Sequence, residues 1–143
     1  MASPIRCRVS SWTGRRAVAS EPGVMVRKII LMMSVSVDGF IEGPNREIDW
    51  HMVDDELHWH FNEQIAAMGA ILSGRVTHEL MAAFWPTADR DPSSTPPMVE
   101  FSRIWRDKPK IVFSRTLQHA DWNTTIARDV DVEQVMQLKA QPG

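Results

Sequence analysis

The sequence predicts an α/β domain in which a mixed but mostly parallel sheet is flanked by helices. Short, continuously apolar segments at residues 29–33 and 111–113 have the length and composition of buried strands. Segments with helical spacing of apolar residues alternate with these strands, an order typical of parallel strands joined by helices. With 143 residues, 43% of them hydrophobic and 24% charged, the chain is long enough to form one globular domain with its own core.

Residues 27–37 form the strongest predicted strand. The segment begins as a continuous apolar run and then alternates, so we expect its first part to be buried on both faces of the sheet. Asp38-Gly39 ends the strand, and residues 42–45 form a loop by composition, which residues 48–50 close. A loop at the end of a central strand is well placed to cover a ligand.

A helix is predicted over residues 53–68, with one apolar face and two acids in its first turn. The face consists of Leu57, Phe61, Ile65 and Met68, and the acids are Asp54 and Asp55. Acids in a first turn complement the helix dipole, so capping explains Asp54 and Asp55 at least as well as a catalytic role does.

Residues 70–77 organise the rest of the chain. They are typical of a short buried strand, a glycine and the first turn of a helix with Thr77 as its N-cap. A strand that ends at Gly74 and opens a helix directs free N–H groups at one point, which favours an anion such as a phosphate, and Arg75 adds a positive charge there. An ordinary turn with a solvated Arg75 explains these eight residues more simply when they are taken alone; the rest of the chain shifts the balance towards a ligand site.

The remaining predicted elements alternate in the same way. They are a helix that Trp85-Pro86 ends, a polar loop over 87–97, a short helix over 98–105, strands over 110–114 and 122–127, and a helix over 132–140. Residues 1–24 are rich in arginine and lack a periodic apolar face, so we expect a disordered tail or a start codon placed upstream of the true one at Met25.

Three predicted strand ends carry polar or glycine residues, at 36–39, 73–75 and 114–116. Ligands of parallel α/β sheets bind beyond the carboxyl ends of the strands, so we expect these three segments to meet at a ligand site. Arg75 and Arg115 suit a phosphorylated ligand, and an arginine at a strand end is what the 2'-phosphate of NADPH would require.

Other chemistries find little support in the residues. His58 and His60 are two positions apart and face different ways on a helix, and with His51 they are better explained as exposed polar residues than as metal ligands, so no metal is expected. A net charge of −2 gives no electrostatic case for nucleic acid, and no apolar run approaches the ~20 residues that span a membrane. A single cysteine, Cys7, favours a reducing, cytoplasmic compartment. Asp38 is most simply a turn former.

Several short motifs occur in the order found in dihydrofolate-reductase-like proteins. They are Ser36-Val37-Asp38-Gly39, Gly43-Pro44-Asn45, Asp49-Trp50, Gly74-Arg75-Val76-Thr77, Ala83-Phe84-Trp85-Pro86, residues 110–117 and Trp122-Asn123. On these motifs, residues 27–143 resemble that superfamily. The closer resemblance is to stand-alone bacterial proteins similar to the C-terminal reductase domain of the bifunctional riboflavin-biosynthesis deaminase/reductase, the RibD C-terminal domain.

The resemblance implies an NADPH-dependent reductase of a pteridine- or pyrimidine-like small molecule. The substrate would be that of a riboflavin-pathway 5-amino-6-(5-phosphoribosylamino)uracil reductase or a dihydrofolate-like compound. The implied cofactor residues are Ser34, Val35, Ser36 and Ile41 beside the nicotinamide, Gly74, Arg75, Val76 and Thr77 at the phosphate turn, and Ser114, Arg115 and Thr116 at the 2'-phosphate. The implied substrate-binding residues are Asp38, Trp50, Asp54 and Asp55, of which the three acids are the catalytic candidates.

Members of this family usually continue into further strands and a second glycine-rich turn. We therefore expect the domain of residues 25–143 to be incomplete at its C-terminus and to lack the last strands of the sheet. The alternatives to a reductase are a catalytically inactive truncated remnant and a module that forms a homodimer through an exposed sheet edge.

Overall fold

The structure, a computed structural model, describes residues 26–45, 47–48 and 51–141. These residues divide into two units, one of the described residues up to 53 with 139–141 and the other of residues 54–138. The predicted tail over residues 1–24 lies outside the described residues, as do Asp49 and Trp50 of the predicted loop.

The second unit contains both helices and strands, as predicted, although β3 follows β2 with no helix between them. In chain order the elements are α1 (Asp55–Ala67), β1 (Ile71–Gly74), α2 (Arg75–Phe84), a 3-10 helix (Trp85–Arg90), α3 (Pro96–Asp107), β2 (Lys110–Phe113), β3 (Thr124–Ala127) and α4 (Val132–Lys139). Within the described residues, no helix combines the length and the apolar character that crossing a lipid bilayer requires.

The strands form a three-stranded sheet in the order β1-β2-β3, in which both pairs are parallel. β2 is the central strand, and its Val112 is fully buried. The helices precede and follow these strands along the chain, so the predicted α/β class with a mostly parallel sheet is confirmed.

Residues 27–37 differ from their prediction. Residues 26–36 have no regular secondary structure, and no strand among the described residues pairs with them. In the first part of the segment, Ile29 is 61% exposed and Leu31 is 84% exposed, where burial on both faces was expected. An apolar run predicts a preference for burial, but a strand also needs a neighbouring backbone to bond with, and the run itself does not encode that neighbour.

Several boundaries also move, each for a local reason. α2 begins at Arg75 with Gly74 as its N-cap, so the prediction of Thr77 as the cap is wrong. The α-helix stops before Trp85-Pro86 as predicted, but the chain continues as a 3-10 helix, because a proline fits the first turn of a new helix. α3 is longer than predicted for the same reason, since prolines occupy its first turn.

The start of β3 is set by two residues in the left-handed region. Trp122 has φ 62° and Asn123 has φ 54°, so the ladder begins only at Thr124 rather than at the predicted Trp122. The Asn123 side-chain amide donates to the Asp107 carbonyl at 2.8 Å, which holds this corner against the end of α3.

The core of the second unit is built around α3. Trp105 and Phe101 on this helix are buried, and Phe101 contacts the Trp85 ring edge-on with centroids 4.5 Å apart. Arg106 bonds the 3-10 helix to α3, because its guanidinium donates to Asp89 at 2.7 Å and to the Pro86 carbonyl at 2.8 Å. Hydrogen bonding to Arg106 lowers the pKa of Asp89.

Lys110 is an unusual member of this core, because its side chain is buried at the start of the central strand. Its ammonium lies 4.4 Å from the centroid of the Trp105 ring, and it donates to the Trp105 carbonyl at 2.5 Å and the Lys108 carbonyl at 2.7 Å. The side chain therefore caps the C-terminus of α3 and also packs on the Trp105 ring.

Burial lowers the pKa of Lys110 to about 8, although Asp107 opposes the shift. Between about pH 8 and the ordinary lysine value of 10.5, the unfolded chain therefore binds a proton that the folded chain has released. The free energy of unfolding should consequently rise with pH across this window, by about 1–2 kcal/mol from this residue.

We expect the substitution Lys110→Met to remove that rise. Urea unfolding of the wild type and the variant at several pH values between 7 and 10.5 measures it, with Lys28→Met as the control at an exposed lysine. Parallel pH profiles for wild type and Lys110→Met would contradict a titrating, buried Lys110.

Candidate functional site

The carboxyl ends of the three strands meet at one edge of the sheet. Gly74 pairs with Phe113, which in turn pairs with Ala127, and each is the last residue of its strand. The residues that follow the strands therefore emerge side by side. This confirms the predicted meeting of segments 73–75 and 114–116, whereas the meeting of both with segment 36–39 stays a prediction.

The N-terminus of α2 forms the first part of this edge. Because its N-cap is Gly74, no side chain caps the first turn, and Arg75, Val76 and Thr77 all lie exposed in that turn. A Cβ atom added to Gly74 would meet no other atom within 4 Å, so the space beside the first N–H groups is open. An uncapped helix N-terminus with open space beside it has the donor groups and the room that a phosphate needs.

A tight turn after β2 forms the second part. The Ser114 hydroxyl, which is buried, accepts from the backbone N–H groups of Thr116 at 3.3 Å and Leu117 at 3.0 Å. Arg128 donates to the carbonyls of Ser114 at 3.2 Å and Leu117 at 2.6 Å. Ser114 therefore shapes the turn, while Arg115 and Thr116 are the residues that the turn exposes.

Each predicted phosphate-binding arginine at this edge has an acidic partner. Arg75 is paired with Glu79 at 2.7 Å, one helical turn further along α2. Arg115 is paired with Asp129, and hydrogen bonding to this carboxylate raises the pKa of Arg115. All four side chains are exposed, so both pairs are weak in water and can open for a stronger anion.

Sequence reasoning missed Arg128 and Asp129. Both follow the last residue of β3, as Ser114 and Arg115 follow the end of β2. The expectation that ligands bind beyond the carboxyl ends of strands includes both residues if it is also applied to the weaker strand predicted over 122–127. This edge of the sheet (the carboxyl edge, residues 74–77, 114–117 and 128–129) thus carries three arginines and one acid, Asp129, with Glu79 lying one helical turn further along α2.

The first unit contains the residues predicted to lie beside the nicotinamide and, of the predicted substrate-binding residues, Asp38. The Ser36 hydroxyl donates to Asp38 at 2.6 Å and accepts from the Phe40 N–H at 2.8 Å. Gly39, with φ +93°, completes a turn in which its N–H donates to the Ser36 carbonyl at 2.9 Å. The interpretation of Asp38-Gly39 as a turn is therefore confirmed, and a conformation of this kind favours glycine.

A shallow depression opens beside this turn. Its lining consists of Ser36, Asp38, Phe40, Glu42, Gly43 and Pro44. Val35 and Ile41 are 41% and 53% exposed, and the Ser34 hydroxyl lies 3.0 Å from the Nε2 atom of His51, within hydrogen-bonding distance. The sequence predicts an exposed polar role for His51 rather than metal binding; His51 is instead partly buried, and its hydrogen bond to Ser34 was not predicted.

The acids at the start of α1 have structural roles. Asp54 is the N-cap and its carboxylate accepts from the Leu57 N–H at 2.9 Å, while Asp55 lies in the first turn. The capping explanation of Asp54 is thus confirmed. The catalytic roles of Asp38, Asp54 and Asp55 stay predictions, and Trp50 lies outside the described residues.

The histidines of α1 face different ways, as predicted. His58 packs against Trp85 at 5.6 Å and Phe101 at 5.9 Å between ring centroids, whereas His60 is exposed. Burial lowers the pKa of His58, with Asp55 opposing the shift. Among the residues that the structure describes, no group of three or more histidine, cysteine or acidic side chains is arranged to hold a metal ion.

Comparison with known proteins points to one family. A family model described as the RibD C-terminal domain matches residues 27–140. A relative from Bacillus subtilis (strain 168), described as the uncharacterized protein YyaP, is 35% identical over 117 residues. That match covers 82% of this chain and 59% of the relative, so the chain spans well under two thirds of the relative's length.

Removal of the Ser114 hydroxyl tests how the turn at the carboxyl edge is held. We expect Ser114→Ala to lower the free energy of unfolding by about 1 kcal/mol and to speed amide hydrogen exchange at Thr116 and Leu117, which lose their acceptor. Thr125→Ala is the control, because Thr125 is exposed on β3 and its hydroxyl bonds to no other described residue. Unchanged exchange at both amides would contradict the turn-forming role.

Proposed function

We propose that this chain, which belongs to the family of RibD C-terminal domains, is an NADPH-dependent reductase of a pteridine- or pyrimidine-like small molecule. The observation that carries the proposal is the carboxyl edge. There an uncapped helix N-terminus and an exposed arginine turn follow neighbouring parallel strands. Two anion-binding features side by side suit a ligand with phosphates at two positions, as NADPH has.

In this proposal the two features bind different phosphates. The N–H groups of Val76 and Thr77, with Arg75 beside them, bind the diphosphate. Arg115 and Thr116 bind the 2'-phosphate, and Ser114 holds the turn that displays them. The bulk of a side chain at Gly74 would exclude the diphosphate, because the open space beside this residue would then be filled.

The resemblance assigns the contacts with the nicotinamide to residues of the first unit. Ser34, Val35, Ser36 and Ile41 would contact the nicotinamide, which supplies the hydride when it is bound. The depression beside Asp38 would hold the planar substrate together with Trp50. The protein's own tasks are then orientation, exclusion of water and delivery of one proton from Asp38, Asp54 or Asp55.

A second candidate function is assembly of a homodimer, with or without catalysis. The apolar segment at residues 29–33 is exposed in every position, and β1 and β3 are edge strands of the described sheet. Exposed apolar runs and open strand edges are features of protein–protein interfaces. We place such a dimer in the cytoplasm, on the basis of the single cysteine.

Light scattering across a range of protein concentrations tests the second candidate. We expect a mass of twice 16.3 kDa that persists on dilution to low micromolar concentration. A chain that stays monomeric at all concentrations would contradict the homodimer and leave the reductase proposal unaffected.

Binding of NADPH tests the reductase proposal directly. Titration of the purified chain, followed by tryptophan fluorescence, should show saturable quenching that is stronger for NADPH than for NADH. Gly74→Val should weaken NADPH binding by roughly tenfold or more, because its side chain fills the space that the phosphate would occupy.

Ala83→Val is the matched control for that variant. It adds branched bulk at an exposed position at the other end of α2, so its effect on folding is comparable while its effect on binding should be small. Folded wild-type protein that binds neither dinucleotide, or equal weakening by both variants, would contradict the proposed function.

A further inference from the structure

The contact between Arg115 and Asp129 joins the ends of two neighbouring strands. Arg115 follows β2 and Asp129 follows β3, and the Nε and Nη2 atoms of the guanidinium both donate to the same carboxylate oxygen, Oδ1, with the Nε distance being 3.0 Å. The two side chains are 81% and 68% exposed. This carboxylate therefore occupies the Nε–Nη2 side of the guanidinium at a solvent-accessible site.

The Nε–Nη2 side is one of the faces with which an arginine binds two oxygens of a phosphate. Asp129 is thus an internal anion on one of the guanidinium faces that a bound 2'-phosphate could use. A phosphate monoester carries about −1.5 to −2 charges at pH 7, so it must both displace this carboxylate and tolerate its negative charge nearby. A ribose 2'-hydroxyl, by contrast, can donate a hydrogen bond to a carboxylate.

We propose that Asp129 is a specificity-determining residue, which limits the preference of this chain for NADPH over NADH by occupying Arg115. The inference rests on the proposed function, because it assumes that the carboxyl edge binds the adenosine ribose. It goes further in assigning a role to a residue that no sequence motif singled out, and in predicting that the chain also accepts NADH.

The chain provides a matched comparison in its other arginine pair. Glu79 holds Arg75 at 2.7 Å on the first turns of α2, and both side chains are exposed. Arg75 is assigned to the diphosphate, which NADPH and NADH share, whereas Arg115 is assigned to the 2'-phosphate, which only NADPH carries. Glu79→Gln and Asp129→Asn each remove one negative charge, so a general charge effect is the same in both variants.

The experiment measures the dissociation constants of NADPH and NADH for the wild type, Asp129→Asn and Glu79→Gln by tryptophan fluorescence. We expect Asp129→Asn to raise the ratio of the NADH constant to the NADPH constant by roughly two- to fivefold, the range of a weak, exposed charge pair. Glu79→Gln should tighten both dinucleotides alike and leave the ratio unchanged. The double variant Arg115→Ala/Asp129→Asn should lose the gain in NADPH binding.

The possible failures are distinguishable. If the wild type prefers NADPH and Arg115→Ala removes that preference, but Asp129→Asn leaves the ratio unchanged, the proposed function stands and the role of Asp129 is overturned. The same holds if Glu79→Gln changes the ratio as much as Asp129→Asn does. If wild type and Asp129→Asn, both with native circular dichroism, bind neither dinucleotide, the proposed function and this inference are overturned together.

Discussion

The in-register, parallel pairing of β2 with both of its neighbours is the constraint on which the rest of this structure depends. Because all three strands run the same way and end level with one another, the backbone places Arg75, Arg115 and Arg128 along a single edge. Trp105 of α3 and Val112 of β2 are both buried, so the helix and the central strand each contribute a residue to the core. The concentration of arginines at this edge follows from strand direction rather than from any one motif.

Acidic side chains and backbone carbonyls compensate the positive charge of the arginines at the carboxyl edge when no ligand is bound. Glu79 forms an ion pair with Arg75, and Asp129 forms one with Arg115. The guanidinium of Arg128 donates hydrogen bonds to two backbone carbonyls. The two ion pairs are exposed and therefore easily exchanged for a phosphate. They also give each arginine a defined position, so that a ligand meets a partly ordered site and binding costs less side-chain entropy.

Local patterns predicted the second unit well, because its elements are fixed by short-range chemistry. The helix over 53–68, the strand ends at Gly74 and Phe113 and the role of Asp54 follow from spacing, glycine and capping. The segment over 27–37 could not be predicted in the same way, because strand formation depends on a distant backbone partner. The positive φ angles at Trp122 and Asn123 likewise depend on the corner that the chain turns before β3. The composition of residues 122–127 predicts only that this strand is weak, not where it begins.

At the candidate site, the sequence predicts the arginines that follow the strong strands. Arg128 and Asp129 were not predicted, because they follow the weakest strand.

The central claim is that the carboxyl edge binds a dinucleotide phosphate, and nuclear magnetic resonance of the isotopically labelled chain tests it most directly. On addition of NADP⁺, the account predicts saturable shifts of the backbone amide signals of residues 74–77, 114–117 and 128–129. Shifts confined to other residues, or no shifts in a well-dispersed spectrum of the folded chain, would contradict it.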